Sequence, residues 1–134
     1  MYCLDTDVLS ALIGSSPPLP LVRRLAHVRE EEQYTTAITL GELLHGAARV
    51  GSPRLAERIR HVVSYAHAVL PFDEDAAQVY GPLRARLETG APRLDDPDLM
   101  IGSIALSRDL TLVTGNVRHF ARVPDLRVQN WLEA

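Results

Sequence analysis

Tyr2-Cys3-Leu4 is an apolar run that stops abruptly at Asp5 and Asp7, and a helical pattern of apolar residues, Val8, Leu9, Leu12 and Ile13, begins directly behind it. An acid at the end of a buried strand costs desolvation energy unless water, a partner or a cation compensates it. A strand that runs straight into a helix suits crossover connections, and so a parallel sheet with helices on its faces. In open sheets of that kind, ligands bind along the edge formed by the carboxyl ends of the strands. What matters in the remainder is whether other strand ends bring acids to the same edge.

The alternation recurs. After the Ser15-Ser16-Pro17-Pro18 loop, Leu21, Val22, Leu25, Ala26 and Val28 give a second helical pattern, which fades into Glu30-Glu31-Glu32 as a solvated helix end. Tyr34 to Ile38 has the β-branched and aromatic content of a strand. Thr39-Leu40-Gly41-Glu42 then matches a capping box, heading a helix through Leu43, Leu44, Ala47 and Ala48 that ends near Gly51. Ser52-Pro53 predicts the next helix start, with Leu55, Ile59, Val62, Val63 and Ala66 on one face. Val69 to Phe72 predicts a short strand that Pro71 confines to an edge.

Asp73 caps a further predicted helix, which Gly81-Pro82 should kink or split. Gly90 to Arg93 reads as a loop. Asp96 as N-cap, Pro97 at the first helical position and Asp98 in the first turn form a strong helix start. Leu110 to Val113 is a strand ending at Thr114-Gly115-Asn116, with one helical turn from Val117 to Phe120, and Leu126-Arg127-Val128 is a last short strand. The expected fold class is α/β: three layers, α/β/α, around a central, mostly parallel sheet of four to five strands, forming one domain over residues 1–134.

Composition narrows the function classes. The chain carries 14 basic and 17 acidic residues, a net charge of -3. That argues against a uniformly positive surface but leaves room for a local basic patch. Every basic residue is Arg, so no catalytic lysine exists. Cys3 is the only cysteine. It is expected to be a small buried hydrophobe in a chain suited to the reducing cytosol. No apolar run approaches the ~20 residues of a membrane span, and no secretory pattern is visible, so a cytoplasmic location is expected.

Three junctions now place an acid where a chain segment enters a helix: Asp5, Glu42 and Asp98. Asn116 holds a similar place. In a parallel sheet these junctions share one edge. Carboxylates gathered there repel one another unless a cation neutralises them. An all-oxygen set suits Mg²⁺ or Mn²⁺, which binds phosphate oxygens and activates water. Each acid also has a local explanation. Asp5 and Asp98 could serve their own helix starts, and Glu42 could be the return half of the capping box.

The sequence resembles the PIN-domain ribonucleases, specifically VapC-type toxins of type II toxin–antitoxin pairs. The resemblance covers nearly the whole chain. It rests on Leu4-Asp5-Thr6-Asp7-Val8-Leu9-Ser10, on Ala37-Ile38-Thr39-Leu40-Gly41-Glu42-Leu43-Leu44-His45-Gly46 and on Leu70-Pro71-Phe72-Asp73. It continues in Asp98-Leu99-Met100-Ile101-Gly102-Ser103-Ile104-Ala105, in Leu112-Val113-Thr114-Gly115-Asn116-Val117-Arg118-His119-Phe120 and in Arg122-Val123-Pro124-Asp125-Leu126. It implies that Asp5, Glu42 and Asp98 are the acidic triad of a Mg²⁺-dependent endoribonuclease, with Asp5 and Asp98 holding the metal. The family's fourth acidic position falls on Asn116, which puts a two-metal mechanism in question. Relatives commonly carry Asn where Asp7 stands; Asp7 either compensates or caps the helix. The resemblance further implies an RNA substrate, a homodimer and a cognate antitoxin whose tail covers the acidic site.

Two rival readings follow from the same residues. Asp5-Thr6-Asp7-Val8 also resembles the nucleophile loop of haloacid-dehalogenase-type phosphatases, with Asp95-Asp96 as the metal pair, although those enzymes usually need a lysine. Alternatively, Asn116 marks a degenerate domain that retains only RNA or partner binding.

Overall fold

The computed structural model of the chain describes residues 1–90 and 93–134. Ala91 and Pro92, half of the expected Gly90–Arg93 loop, lie outside the described residues. Five strands, β1 (Tyr2–Leu4), β2 (Gln33–Thr36), β3 (Ala68–Leu70), β4 (Thr111–Val113) and β5 (Val128–Gln129), pair in the order β3-β2-β1-β4-β5. Every pairing is parallel. The first strand is therefore the central one, and the chain builds outward from it to both sides. The switch of direction falls between β1 and β4, where ligand crevices form in sheets of this type. The register sets Leu4 opposite Val113, so the residues that follow, Asp5 and Thr114, leave the sheet side by side.

Side chains alternate across the sheet and so divide the core in two. Cys3 and Leu112 join the cluster built with α5 (Glu74–Leu87) and α6 (Asp96–Ser107), where Ile101, Ile104 and Phe120 are fully buried. Leu4 and Val113 join the cluster on the opposite face. That cluster is built with α1 (Thr6–Ile13), α2 (Leu19–Ala26), α3 (Ala37–Arg49) and α4 (Pro53–Val63), and Trp131 completes it. A short α7 (Val117–Phe120) follows β4. Each fully buried side chain of this size contributes about 1.5–3 kcal/mol. Cys3 is inert: burial, with Asp5 adding to it, pushes its thiol up to about 12.

Most helix starts fall where their caps predict. Ser52 accepts from the Leu55 N–H, and Asp73 accepts from the Ala76 N–H. Gly51, at φ +65°, ends α3 in the left-handed region that favours glycine.

Four expectations need correction. Thr36, not Thr39, caps α3: its hydroxyl accepts from the Thr39 N–H at 3.0 Å, so the helix begins three residues sooner and β2 is shorter. Asp95, not Asp96, caps α6, accepting from the Asp98 N–H at 3.0 Å. α5 is not split at Gly81-Pro82. Both residues are exposed, so water can serve the carbonyl that Pro82 leaves without a donor. Glu30–Glu32 is a separate 3-10 turn rather than a helix end.

Candidate active site

Asp5 sits at the carboxyl end of the central strand and is 5% exposed. Its position is over-determined. Oδ1 accepts from the Thr6 N–H at 2.7 Å, which caps α1, and Oδ2 accepts from the Thr114 hydroxyl at 2.8 Å. The same Thr114 oxygen accepts from the Asn116 N–H at 3.0 Å. One threonine after β4 thus fixes both the acid that follows β1 and the backbone at Asn116.

Glu42 lies in the second turn of α3 and is exposed. With the cap moved to Thr36, it is not the return half of a capping box. Its Oε1 instead accepts from the Thr6 hydroxyl at 2.7 Å, a bond between residues 36 positions apart in the chain. Asp98 is half-buried in the first turn of α6. Asn116 stands at the N-cap position of α7, but its side chain makes no capping bond. Asp5, Glu42, Asp98 and Asn116 all line one open cavity of about 650 Å³.

The sequence left Asp7 undecided. It does not cap α1, because Asp5 does. Its Oδ2 accepts from the Gly115 N–H at 2.9 Å, tying the start of α1 to the loop after β4, and it lines the same cavity. Asp96 turns elsewhere. Its Oδ1 accepts from the Tyr80 hydroxyl at 3.0 Å and lies 3.5 Å from Arg84, in a separate cavity that Asp95 shares. The Asp95-Asp96 pair required by the phosphatase reading is therefore not in the cleft with Asp5.

Two contributors escaped the sequence reading. Thr6, which positions Glu42, sits inside the first motif, where its hydroxyl was the available signal. The carboxyl-terminal residues Asn130, Leu132 and Glu133 form one wall of the cavity, and no pattern in the sequence links them to residue 5.

Crowding of acids has an electrostatic cost. Burial raises Asp5 from 3.8 to about 6; Asp7 and Glu42 push the same way, and the bonds from Thr114 and Thr6 pull against them. Burial raises Asp98 from 3.8 to about 7, with Asp95, Asp5 and Glu42 adding repulsion. Both values lie above that of an unfolded aspartate. Between about pH 4 and 7 the folded chain then holds more protons than the unfolded one, and this contribution to stability falls as pH rises through the window. In metal-free protein the thermal midpoint is expected to decline from pH 5 to pH 7.5. The rise on adding Mg²⁺ should be larger at pH 7.5, where the acids are charged. Scanning fluorimetry at the two pH values checks both; a Mg²⁺ effect independent of pH would contradict the account.

The donor set fits a hard divalent cation: oxygens only, on an open cleft, with two acids that charge reluctantly in its absence. Among the described residues no three His, Cys, Asp or Glu side chains close into a ready-made ion cage. Mg²⁺ does not need one, since it keeps several of its waters.

Gly115 holds the far wall together. A Cβ there would meet Leu132 Cδ1 at 2.8 Å and Asp7 Oδ2 at 2.9 Å. Gly115→Ala should push aside the ends of two flexible side chains at an exposed position, so its cost in stability should stay below about 1 kcal/mol while the Asp7 bond to the Gly115 N–H is disturbed. Urea denaturation checks this, and a loss well above about 1 kcal/mol would contradict it.

The PIN domain family profile matches residues 2–126. The chain is 34% identical over 131 residues to the tRNA(fMet)-specific endonuclease VapC of Shigella flexneri, covering 97% of each protein. It superposes on FitAcB from Neisseria gonorrhoeae with a TM-score of 0.86, at 26% identity and with both chains fully covered. It superposes on DNA-bound VapBC from Salmonella typhimurium with a TM-score of 0.80, at 30% identity over 97% of each chain.

Proposed function

This chain belongs to the PIN-domain family, in its VapC-type branch, and from that premise we propose that it is a Mg²⁺-dependent endoribonuclease, the toxin of a toxin–antitoxin pair. The observation that carries the reading is the convergence of Asp5, Glu42 and Asp98 on one cleft at the switch point of the parallel sheet. Relatives named as endonucleases support it. The VapBC and FitAcB structures support an antitoxin partner and assembly beyond one chain.

When bound, Mg²⁺ supplies positive charge against the scissile phosphate and makes its water a stronger nucleophile at neutral pH. Asp5 and Asp98 would hold it. Thr114 keeps the Asp5 carboxylate facing the cleft. Glu42, aimed by Thr6, accepts the proton of the attacking water or orients that water. Asn116 presents a neutral amide, which offers an oxygen to a water and N–H donors to a phosphate. The rigid placement of these groups avoids reorganisation as charge develops.

A tRNA is the first substrate to test, because the Shigella relative is named for one. Incubation of purified protein with initiator tRNA should give discrete fragments with Mg²⁺ and none with chelator. Intact tRNA and intact total RNA under both conditions would favour the degenerate, binding-only domain.

A further inference from the structure

Glu42 is exposed on α3, and its side chain is long enough to take many rotamers. The bond that holds it comes from α1: Oε1 accepts from the Thr6 hydroxyl at 2.7 Å. Behind Thr6 lies a row of further hydroxyls. Thr6 Oγ1 stands 3.2 Å from Thr39 Oγ1, and Thr39 Oγ1 stands 3.3 Å from Thr36 Oγ1. Thr36 and Thr39 are both 0% exposed. Thr36 Oγ1 also accepts from the Thr39 N–H at 3.0 Å, which caps α3. The row therefore starts at the cap of α3, crosses to the first residue of α1 and returns to α3 at the carboxylate.

Proton counting gives the row a direction. Each hydroxyl owns one proton and accepts at its lone pairs. A Glu42 carboxylate ready to take a proton is acceptor-only. The Thr6 proton is then committed to Oε1, the shortest contact of the row and a charge-assisted one. The contact between Thr6 and Thr39 must use the Thr39 proton. Thr39 in turn accepts from the Thr36 hydroxyl, whose oxygen takes the Thr39 amide. Every hydroxyl proton points towards Glu42. The far end is an amide N–H among fully buried side chains, so no proton leaves by that route. The row braces Glu42 and does not conduct protons away from it.

Thr6 also ties the brace to a second acid. Its N–H donates to Asp5 Oδ1 at 2.7 Å while its hydroxyl donates to Glu42 Oε1. A displaced Thr6 would disturb both carboxylates. We propose that Thr39 is a positioning residue for the reaction: from the buried side of α3 it fixes the Thr6 hydroxyl, which holds Glu42 by Oε1 and leaves Oε2 for the attacking water. This rests on the reading of Glu42 as the group that meets that water, and adds the residue that holds it there.

The test is a double-substitution cycle on cleavage of a defined RNA in Mg²⁺, read as kcat and KM separately. Thr6→Val removes the bond to Glu42 directly, and kcat should fall about tenfold or more, as for a charge-assisted bond. Thr39→Val keeps the side-chain shape and should lower kcat about three- to tenfold, the worth of a neutral bond. KM should hold in both. Combined with Thr6→Val, Thr39→Val should lower kcat no further, since it acts only through Thr6. Thr39→Ser should restore the parent rate. Thr39→Ala runs in the same cycle, so the outcome does not hang on one variant being folded. Thr111→Val, at a buried threonine at the opposite end of β4, controls for loss of a hydroxyl as such and should leave kcat unchanged. Side-chain couplings of Glu42, measured by NMR in metal-free protein, read the brace without catalysis. They should report one rotamer in the parent and averaging in Thr39→Val.

Equal losses of kcat from Thr39→Val with and without Thr6→Val would overturn the proposal. So would a Thr39→Val protein with parental kcat, or one in which Glu42 keeps a single rotamer. Failure of the nuclease reading looks different: the parent leaves RNA intact in Mg²⁺, yet Thr39→Val still releases Glu42 from its single rotamer. The brace would then stand without that reaction.

Discussion

Asp5→Asn is expected to slow RNA cleavage by at least about a hundredfold while making the metal-free protein more stable at neutral pH. The two effects share one cause. Asp5 is buried beside Asp7 and Glu42, and its ionised form is held there against desolvation and repulsion. Asparagine keeps one oxygen for the Thr6 N–H, while its Nδ2 takes the place of Oδ2 and donates to the Thr114 oxygen, whose own proton can turn to Asp7 Oδ1, so both contacts survive with the second reversed in direction. The charge that would hold a cation does not. A rise from 3.8 to about 6 sets the relief at a few kcal/mol at most.

Asp98→Asn should act in the same direction, with a smaller gain in stability because solvent screens its half-exposed carboxylate. Cleavage assays paired with thermal scans in chelator read both quantities. An Asp5→Asn protein that cuts RNA as fast as the parent would remove Asp5 from the mechanism. One that is less stable without metal would show that the carboxylate is structural.

Trp131→Ala should be the most damaging single substitution outside the acidic cluster. Trp131 is 1% exposed and lies outside the matched PIN segment. Its ring meets Tyr2 edge-on at 4.8 Å, and the Arg24 guanidinium lies over it at 5.0 Å. Gln129 Oε1 accepts from both Trp131 Nε1 and Arg24 Nη2, at 2.9 and 2.8 Å. Truncating a buried tryptophan costs about 3–5 kcal/mol, a large part of the stability of a typical domain. The tail would lose its anchor, and with it the wall that Leu132 and Glu133 add to the cleft. Urea unfolding should show the loss, and cleavage should fall even at temperatures where the variant remains folded. Trp131→Phe, which keeps a ring but drops the indole donor, should recover most of the stability. An alanine variant within about 1 kcal/mol of the parent would contradict the anchoring role.

What the sequence disclosed depended on range. The apolar runs, the polar strand ends and the strong caps at Ser52 and Asp73 are local signals, and together they carry the layer architecture and the parallel sheet, but not the order of its strands. The cap errors arose where two candidates stand close together. Thr36 and Thr39 both suit an N-cap, and Asp95 and Asp96 are equivalent by type. The choice was made by where the preceding strand ends and by what each side chain meets in space. The same ambiguity hid the role of Glu42: as part of a capping box it would face its own helix start, whereas the folded chain gives it to Thr6. The contacts of Asp7 with Gly115 and of Leu132 with the β4 loop join residues more than a hundred positions apart or across an unpatterned tail. No periodicity reports such contacts. Asn116 was visible at once as an amide at the edge of an acidic set, and it lines the same cleft as those acids.

The central claim is that the cleft hydrolyses RNA with a metal-activated water, and the fate of the solvent oxygen tests it most directly. Cleavage of a defined RNA in heavy-oxygen water with Mg²⁺ should place one solvent oxygen in the terminal phosphate of the product, without a cyclic phosphate intermediate, and chelator should stop the reaction. Fragments ending in a cyclic phosphate, formed equally well in chelator, would mean attack by the RNA's own hydroxyl and would contradict the assignment of Asp5, Glu42 and Asp98.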